Sequence, residues 1–462
     1  MTHARIRRHL ACCMMPAAAM CALPAAVWSS DAAVDQGGPV VHVKLITGQE
    51  VSGTLRRVAE QSVVLDCDGF PCAFCYNRML GDSAYRTRRE ALAWQRGGHD
   101  RLTASDCFGL GLFALRHGRY AIARRDLARA GRRDPQYREP GRRALSDFRV
   151  SRRLGQPISK PDGTAVAAPQ VNEDNAAAIG FAAPPDVPDS NTEQTDPSRR
   201  ARIIEGYKDV GRRIRERIGR DLVLLETPHF LIWTDWSRSE HADLRRWCED
   251  MYAALAQQFR LSTDGCVFAG KCPLFALRSR KRFQAVAQLL DGYEAGGALG
   301  YTSSDTNGHV HVVIYRHGGS PAARDAFAST LVHEGTHAFL HRYRSTRHIP
   351  SWINEGLADF VAQSVLGDQC PNQDAANAVA AEIVAGDHSI APLFASDGAL
   401  DARYYPVAHS LVSFLIEREP AALIRVIDDL KDGAPVAEAL MSRYHLTLQG
   451  LEQAWRKAHG QP

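Results

Sequence analysis

The sequence predicts an α+β protein in which a small β unit and a helical segment precede a larger C-terminal part of mixed strands and helices. Three observations predict it. Residues 40–80 alternate apolar and polar side chains between turn signals, the pattern of short antiparallel strands. From about residue 88 apolar residues recur at helical spacing. Beyond residue 200, short apolar runs come first and amphipathic helices follow. A length of 462 residues suffices for two or three domains, and 45% hydrophobic with 23% charged residues describes a globular chain.

At the N-terminus, Arg5, Arg7 and Arg8 precede an almost uncharged stretch from Leu10 to Val27, with small residues around Ala25 to Ala33. Residues 1–30 therefore read as an export signal, with an uncleaved membrane anchor as the alternative. The expected location is periplasmic or secreted. No other stretch is long and apolar enough to cross a membrane.

Residues 38–82 form the β unit. VVHVKLITGQEVSGTLRRVAEQSVVLDCDGF carries turn signals at Thr47-Gly48 and Asp68-Gly69. It is similar to the short barrel modules that begin many exported bacterial proteins. It holds no catalytic cluster, so packing or partner binding is its expected role.

Residues 88–153 are helical, and GLGLFALRHGRYAIARRDLARAGRRDP resembles one tetratricopeptide repeat. Gly111, Gly118, Tyr120, Ala123, Ala130 and Pro135 fall at that motif's small, aromatic and terminating positions. One copy does not make a solenoid, so a helical hairpin supporting its neighbours is expected. From Arg78 to Arg153 there are nineteen arginines, no lysine and eight Asp or Glu. Such a face could meet an anionic envelope surface, or it could be an ordinary solvated one. No nucleic-acid partner is expected.

Residues 154–199 are rich in Pro, Ala, Asp and Asn, with few large apolar side chains, and read as a disordered linker. From residue 200 to 462 the C-terminal part follows. HFLIWTD, CPLFALRS and HVHVVIY read as strands, the last over His309 to Tyr315. EHADLRRWCEDMYAALAQQF is a helix with Leu244, Trp247, Met251 and Leu255 on one face, and a second helix runs near Arg280 to Leu290. A third spans ARDAFASTLVHEGTHAFLHRY with Pro321 near its start, and a fourth follows Pro350 with Ser351 as its expected N-cap. Gly292 to Gly300 reads as a flexible loop near a cleft.

Eight of the eleven cysteines lie beyond the signal, an even number that favours disulfides in an exported chain. Cys266 and Cys272 flank a short turn and could pair. Cys67, Cys72 and Cys75 include a Cys-x-x-Cys pair, but the second pair that a four-thiolate zinc site needs is missing.

His333-Glu334-Gly335-Thr336-His337 matches H-E-x-x-H. Residues four apart share one helix face, so both imidazoles can reach one ion. Glu334 projects beside that ion, where it can hold and deprotonate a water. The five-residue pattern arises by chance in roughly a few per cent of chains with this histidine content, so a third ligand is needed. Leu340 and Tyr343 exclude the extended form with a third histidine. A glutamate on the next helix remains, Glu355, with Asp359 one turn beyond it to accept the outer N–H of His333. Trp352, Ile353, Leu357 and Phe360 would dock that helix. His341, about 6 Å further along the axis than His337, is not expected to ligate. His309, His311 and His317 are expected at the surface or in the cleft.

HEGTHAFLH followed by PSWINEGLADF resembles the gluzincin metallopeptidases, whose pattern is H-E-x-x-H with N-E-x-x-x-D on the next helix. Over residues 225 to 420 the chain is more closely similar to exported bacterial peptidase-MA-like proteins. The resemblance implies a zincin-like fold and one catalytic Zn2+. It implies His333, His337 and Glu355 as ligands, Glu334 as general base and Asp359 behind His333. It makes the strand at His309 to Tyr315 the edge that pairs with a peptide or protein substrate. A downstream Tyr or His would stabilise the oxyanion, and of Tyr404, Tyr405 and His409 the best placed is Tyr405. The competing expectation is an exported zinc-binding scaffold whose peptidase-like domain is inactive.

Overall fold

The N-terminal strands β1 (Val40–Lys44), β2 (Glu50–Val58), β3 (Ser62–Cys67) and β4 (Phe70–Cys75) pair in sequence order as an antiparallel sheet. Alternation drives it: Val41 and Val43 turn inward with Leu55, Val63, Leu65 and Phe74. Asp68 and Gly69, both with positive φ, close the β3–β4 hairpin. The structure is a computed structural model and describes residues 38–45, 50–59, 62–154, 197–261, 266–292, 298–305, 308–370, 372–386, 388–395, 400 and 402–460. The expected signal, residues 155–196 of the expected linker, the Thr47-Gly48 turn and most of the Gly292–Gly300 loop lie outside these residues.

Four helices follow: α1 (Gly81–Arg96), α2 (Ala104–Arg116), α3 (Tyr120–Arg133) and α4 (Arg138–Leu154). Thr103 and Asp106 form a reciprocal capping box at the start of α2. Gly111 lets α2 and α3 touch, since a Cβ there would lie 2.6 Å from the Leu127 side chain.

The C-terminal part opens with α5 (Pro197–Ile218), β5 (Val223–Glu226), β6 (Phe230–Thr234), α6 (His241–Gln258), β7 (Cys272–Leu277) and α7 (Arg280–Asp291). Strands β8 (Gly300–Ser304) and β9 (Val310–Tyr315) complete a five-stranded sheet ordered β5-β6-β7-β9-β8. The pairs β6–β7 and β7–β9 are parallel, whereas β5 and β8 run antiparallel to their neighbours. Central strands are apolar on both faces because both are covered. Ile232, Leu274, Val312 and Ile314 enter one core with residues of α6 and of the helices that follow β9. Trp233, Phe275, Val313 and Tyr315 enter a second core under α5 and α7.

Eight helices remain: α8 (Pro321–Arg342), α9 (Ser351–Leu366), α10 (Asn372–Ala385), α11 (Ala391–Phe394), α12 (Tyr405–Arg418), α13 (Pro420–Asp432), α14 (Val436–Tyr444) and α15 (Leu448–Ala458). No helix among the described residues is long and apolar enough to cross a membrane. The β unit packs through β3 and β4 on α10, and the turn after β4 packs on α8. Arg56 and Arg57 reach Glu382 at 3.7 and 3.4 Å, the Phe70 ring meets Tyr404 edge-on at 5.3 Å, and Arg116 pairs with Asp325.

Four expectations are corrected. The strand at His309 to Tyr315 is interior, between β7 and β8, and among the described residues the last strand on that side is β8, too short and polar to stand out in the sequence. His309 and His311 are buried; they bond to each other at 3.1 Å, and His311 bonds Asp291 at 2.9 Å. The eight cysteines are present as thiols. Most fill buried positions as small apolar side chains, and burial pushes the Cys75 thiol up to about 12. The N-cap of α9 is Pro350 rather than Ser351.

Candidate metal centre

Helix α8 starts where the Ser320 hydroxyl accepts the Ala323 N–H at 3.1 Å, with Pro321 in the first turn. It is buried nearly all round, since α6, α9, β8 and β9 all pack on it. Two glycines bring its neighbours close. A Cβ at Gly335 would lie 2.7 Å from the Met251 sulfur, where α8 crosses α6. A Cβ at Gly356 would lie 2.4 Å from the main-chain oxygen of Ala408, so α9 and α12 are in backbone contact.

The connection from α8 to α9 is held from α13. Lys431 is buried and donates to the carbonyls of Ser345 at 3.0 Å and Arg347 at 2.7 Å. Burial pushes its ammonium down to about 7. Tyr343 donates to Asp428 at 2.7 Å, and Arg344 pairs with Asp432.

This framework brings three side chains together. His333 Nε2 lies 3.0 Å from His337 Nε2 and 3.1 Å from Glu355 Oε2, and His337 Nε2 is 3.4 Å from the same oxygen. Three lone-pair donors this close repel one another unless a proton or a cation lies among them. Tetrahedral bonds of about 2.0–2.1 Å separate neighbouring donors by about 3.3 Å. The observed separations are near that, and these residues could hold a metal ion.

Asp359 Oδ1 accepts from His333 Nδ1 at 3.0 Å, which turns the Nε2 lone pair toward the convergence point. His337 Nδ1 is buried without a partner among the described residues. With no cation, burial disfavours charge on His333, but Asp359 and Glu355 outweigh it and raise the imidazole to about 10. Burial raises Glu355, yet the two histidines hold it far below the ordinary carboxylate range. Burial likewise opposes the charge on Asp359, and Arg78 with His333 brings it down to about 2.

Glu334 follows His333 on α8. The Thr302 hydroxyl on β8 lies 2.9 Å from its Oε2 and 2.7 Å from its main-chain oxygen. Tyr405 opens α12 next to these carboxylates. Burial first, then the charges of Glu355 and Asp359, push its phenol well above the ordinary range, so it stays a donor. Tyr404 packs on Phe70 instead, and His409 is buried one turn beyond Tyr405. His341 turns away and meets the Asp305 carbonyl at 3.1 Å.

Two neighbours of the site carry no signal in the sequence. Thr302 sits on the short strand β8. Arg78 comes from the β unit, in the turn after β4, and donates to Asp359 Oδ1 at 3.2 Å. Neither belongs to a motif; only the fold brings them here.

The family model of the Peptidase MA superfamily matches residues 296–459. Residues 296–459, which include both site helices and Tyr405, are therefore peptidase-MA-like. No curated protein matches the chain.

Proposed function

We propose that this protein is a gluzincin-type zinc metallopeptidase that hydrolyses peptide bonds. The observation that carries the reading is the convergence of His333, His337 and Glu355 at 3.0–3.4 Å. His333, His337 and Glu355 would hold the ion, and Asp359 would keep the His333 ring in its ligating tautomer. When bound, zinc acidifies a water and polarises the scissile carbonyl. Glu334 takes the proton of the attacking water and returns it to the leaving amine. Tyr405, a neutral phenol, donates to the carbonyl oxygen as it gains charge. Strand β8, the last on its side among the described residues, suits pairing with an extended peptide.

Glu334→Gln is expected to keep zinc and lose about 10²–10⁴-fold in peptide hydrolysis. Cleavage of a broad peptide library at the wild-type rate by this variant would reject the reading. Wild-type protein that holds zinc and cleaves nothing points instead to the scaffold. The basic start of the chain supports export, and exposed arginines such as Arg142 and Arg143 support contact with an anionic envelope surface.

A further inference from the structure

We propose that Arg78, in the N-terminal β unit, is a positioning residue of the metal centre, fixing the ring of His333 through Asp359. This rests on the metal-centre reading and extends it to a residue more than 200 positions upstream of the matched region.

The geometry is a relay through one atom. Asp359 Oδ1 accepts from Arg78 at 3.2 Å and from His333 Nδ1 at 3.0 Å. Asp359 is only 4% exposed. Once a cation occupies the other side of His333, that imidazole is neutral, and a carboxylate so deeply placed needs a counter-charge. The guanidinium supplies it with a directional N–H. Asp359 is the sole hydrogen-bond partner of Arg78 among the described residues.

The anchor for Arg78 is rigid. Tyr76, two residues earlier, is fully buried with its ring edge on Phe113 at 5.3 Å, and Arg88 lies over both rings. Met79, one residue later, is buried and bridges to Leu45, and the Leu80 N–H donates to the Lys44 carbonyl at 2.9 Å. A turn pinned on both flanks cannot follow Asp359 if it wanders; it holds the carboxylate where His333 needs it. Arg57 offers a contrast, since it crosses the same boundary to Glu382, whose other ion pair is with Arg56.

The test is zinc affinity of the full chain, by competition with a chromogenic chelator, for wild type, Arg78→Met, Arg78→Lys and Arg57→Met. Arg78→Met is expected to bind zinc about tenfold more weakly, the low end for partners behind a ligand. Arg78→Lys, keeping the charge without the planar fork, should fall between, and Arg57→Met should match wild type. Should Arg78→Met fail to fold, Arg78→Lys carries the comparison. Wild-type affinity in both Arg78 variants, or equal weakening in Arg57→Met, overturns the proposal. A wild-type chain that takes up no zinc refutes the metal centre itself. Zinc binding without peptide cleavage refutes only the peptidase, and Arg78 is then judged on affinity alone.

Discussion

Thr302→Val isolates one hydroxyl at the proposed general base. Valine keeps the shape and strand preference of threonine, and its position opposite Val312 is unchanged. The flanking Tyr301 and Ser303 still tie β8 to Asp291, at 2.6 and 3.0 Å on the opposite face. What disappears is a donor 2.9 Å from Glu334 Oε2 and 2.7 Å from its main-chain oxygen. A single hydroxyl proton serves one of these acceptors at a time. After Glu334 has taken a proton, both contacts form together: the acid donates to Thr302, and Thr302 donates to the carbonyl. The hydroxyl thus favours the state reached when water is activated. The bond gained in that state joins neutral groups and contributes about 0.5–1.5 kcal/mol. If all of it is expressed in the transition state, kcat falls about 2- to 13-fold. Steady-state kinetics on a cleaved peptide should show that fall with little change in KM and unchanged zinc affinity, and Thr302→Ser should recover most of it. A Thr302→Val enzyme within twofold of wild-type kcat would refute the reasoning.

The two helix-crossing glycines should respond differently. At Gly356 an added Cβ meets main chain, which cannot step aside, so Gly356→Ala is expected to cost about 1–3 kcal/mol in denaturant unfolding. At Gly335 it meets the end of the Met251 side chain, and Gly335→Ala should cost less. Equal losses would contradict the contacts described. In the metal-free chain, His333 is raised to about 10 from an unfolded value of about 6.5. Its contribution to stability is complete below pH about 6.5 and disappears as pH rises to about 10. Melting temperature in chelator should fall across that window, and Asp359→Asn should flatten the fall; an unchanged slope in the variant counts against the clasp.

The site helices are legible in the sequence because their signals are local. Pro321 and Pro350 mark the starts of α8 and α9, and i,i+4 spacing sets two histidines on one face. The third donor, a carboxylate, can be chosen because α9 follows α8 after a short connection. What the sequence hides depends on distant partners. The run at His309 to Tyr315 alternates as an edge strand would, yet β8 covers it, and Tyr207 and Asp291 receive its histidines. An even cysteine count says nothing about which thiols the core will swallow. The helix α5 and the strand β5 also escape a reading of local pattern. Arg78 looks like one arginine among nineteen until the fold sets it against Asp359.

Lys431 clamps the strap between the two helices that carry the proposed ligands, and that has a consequence for how the chain can vary in length. A one-residue insertion or deletion between Tyr343 and Pro350 would rotate or shift α9 against α8, carrying Glu355 out of reach of the imidazoles. Loops elsewhere can lengthen at small entropic expense. This one acts as a ruler, calibrated by a lysine 86 residues downstream of Ser345, so a truncation that removes α13 should blunt metal uptake while leaving every donor atom in the chain.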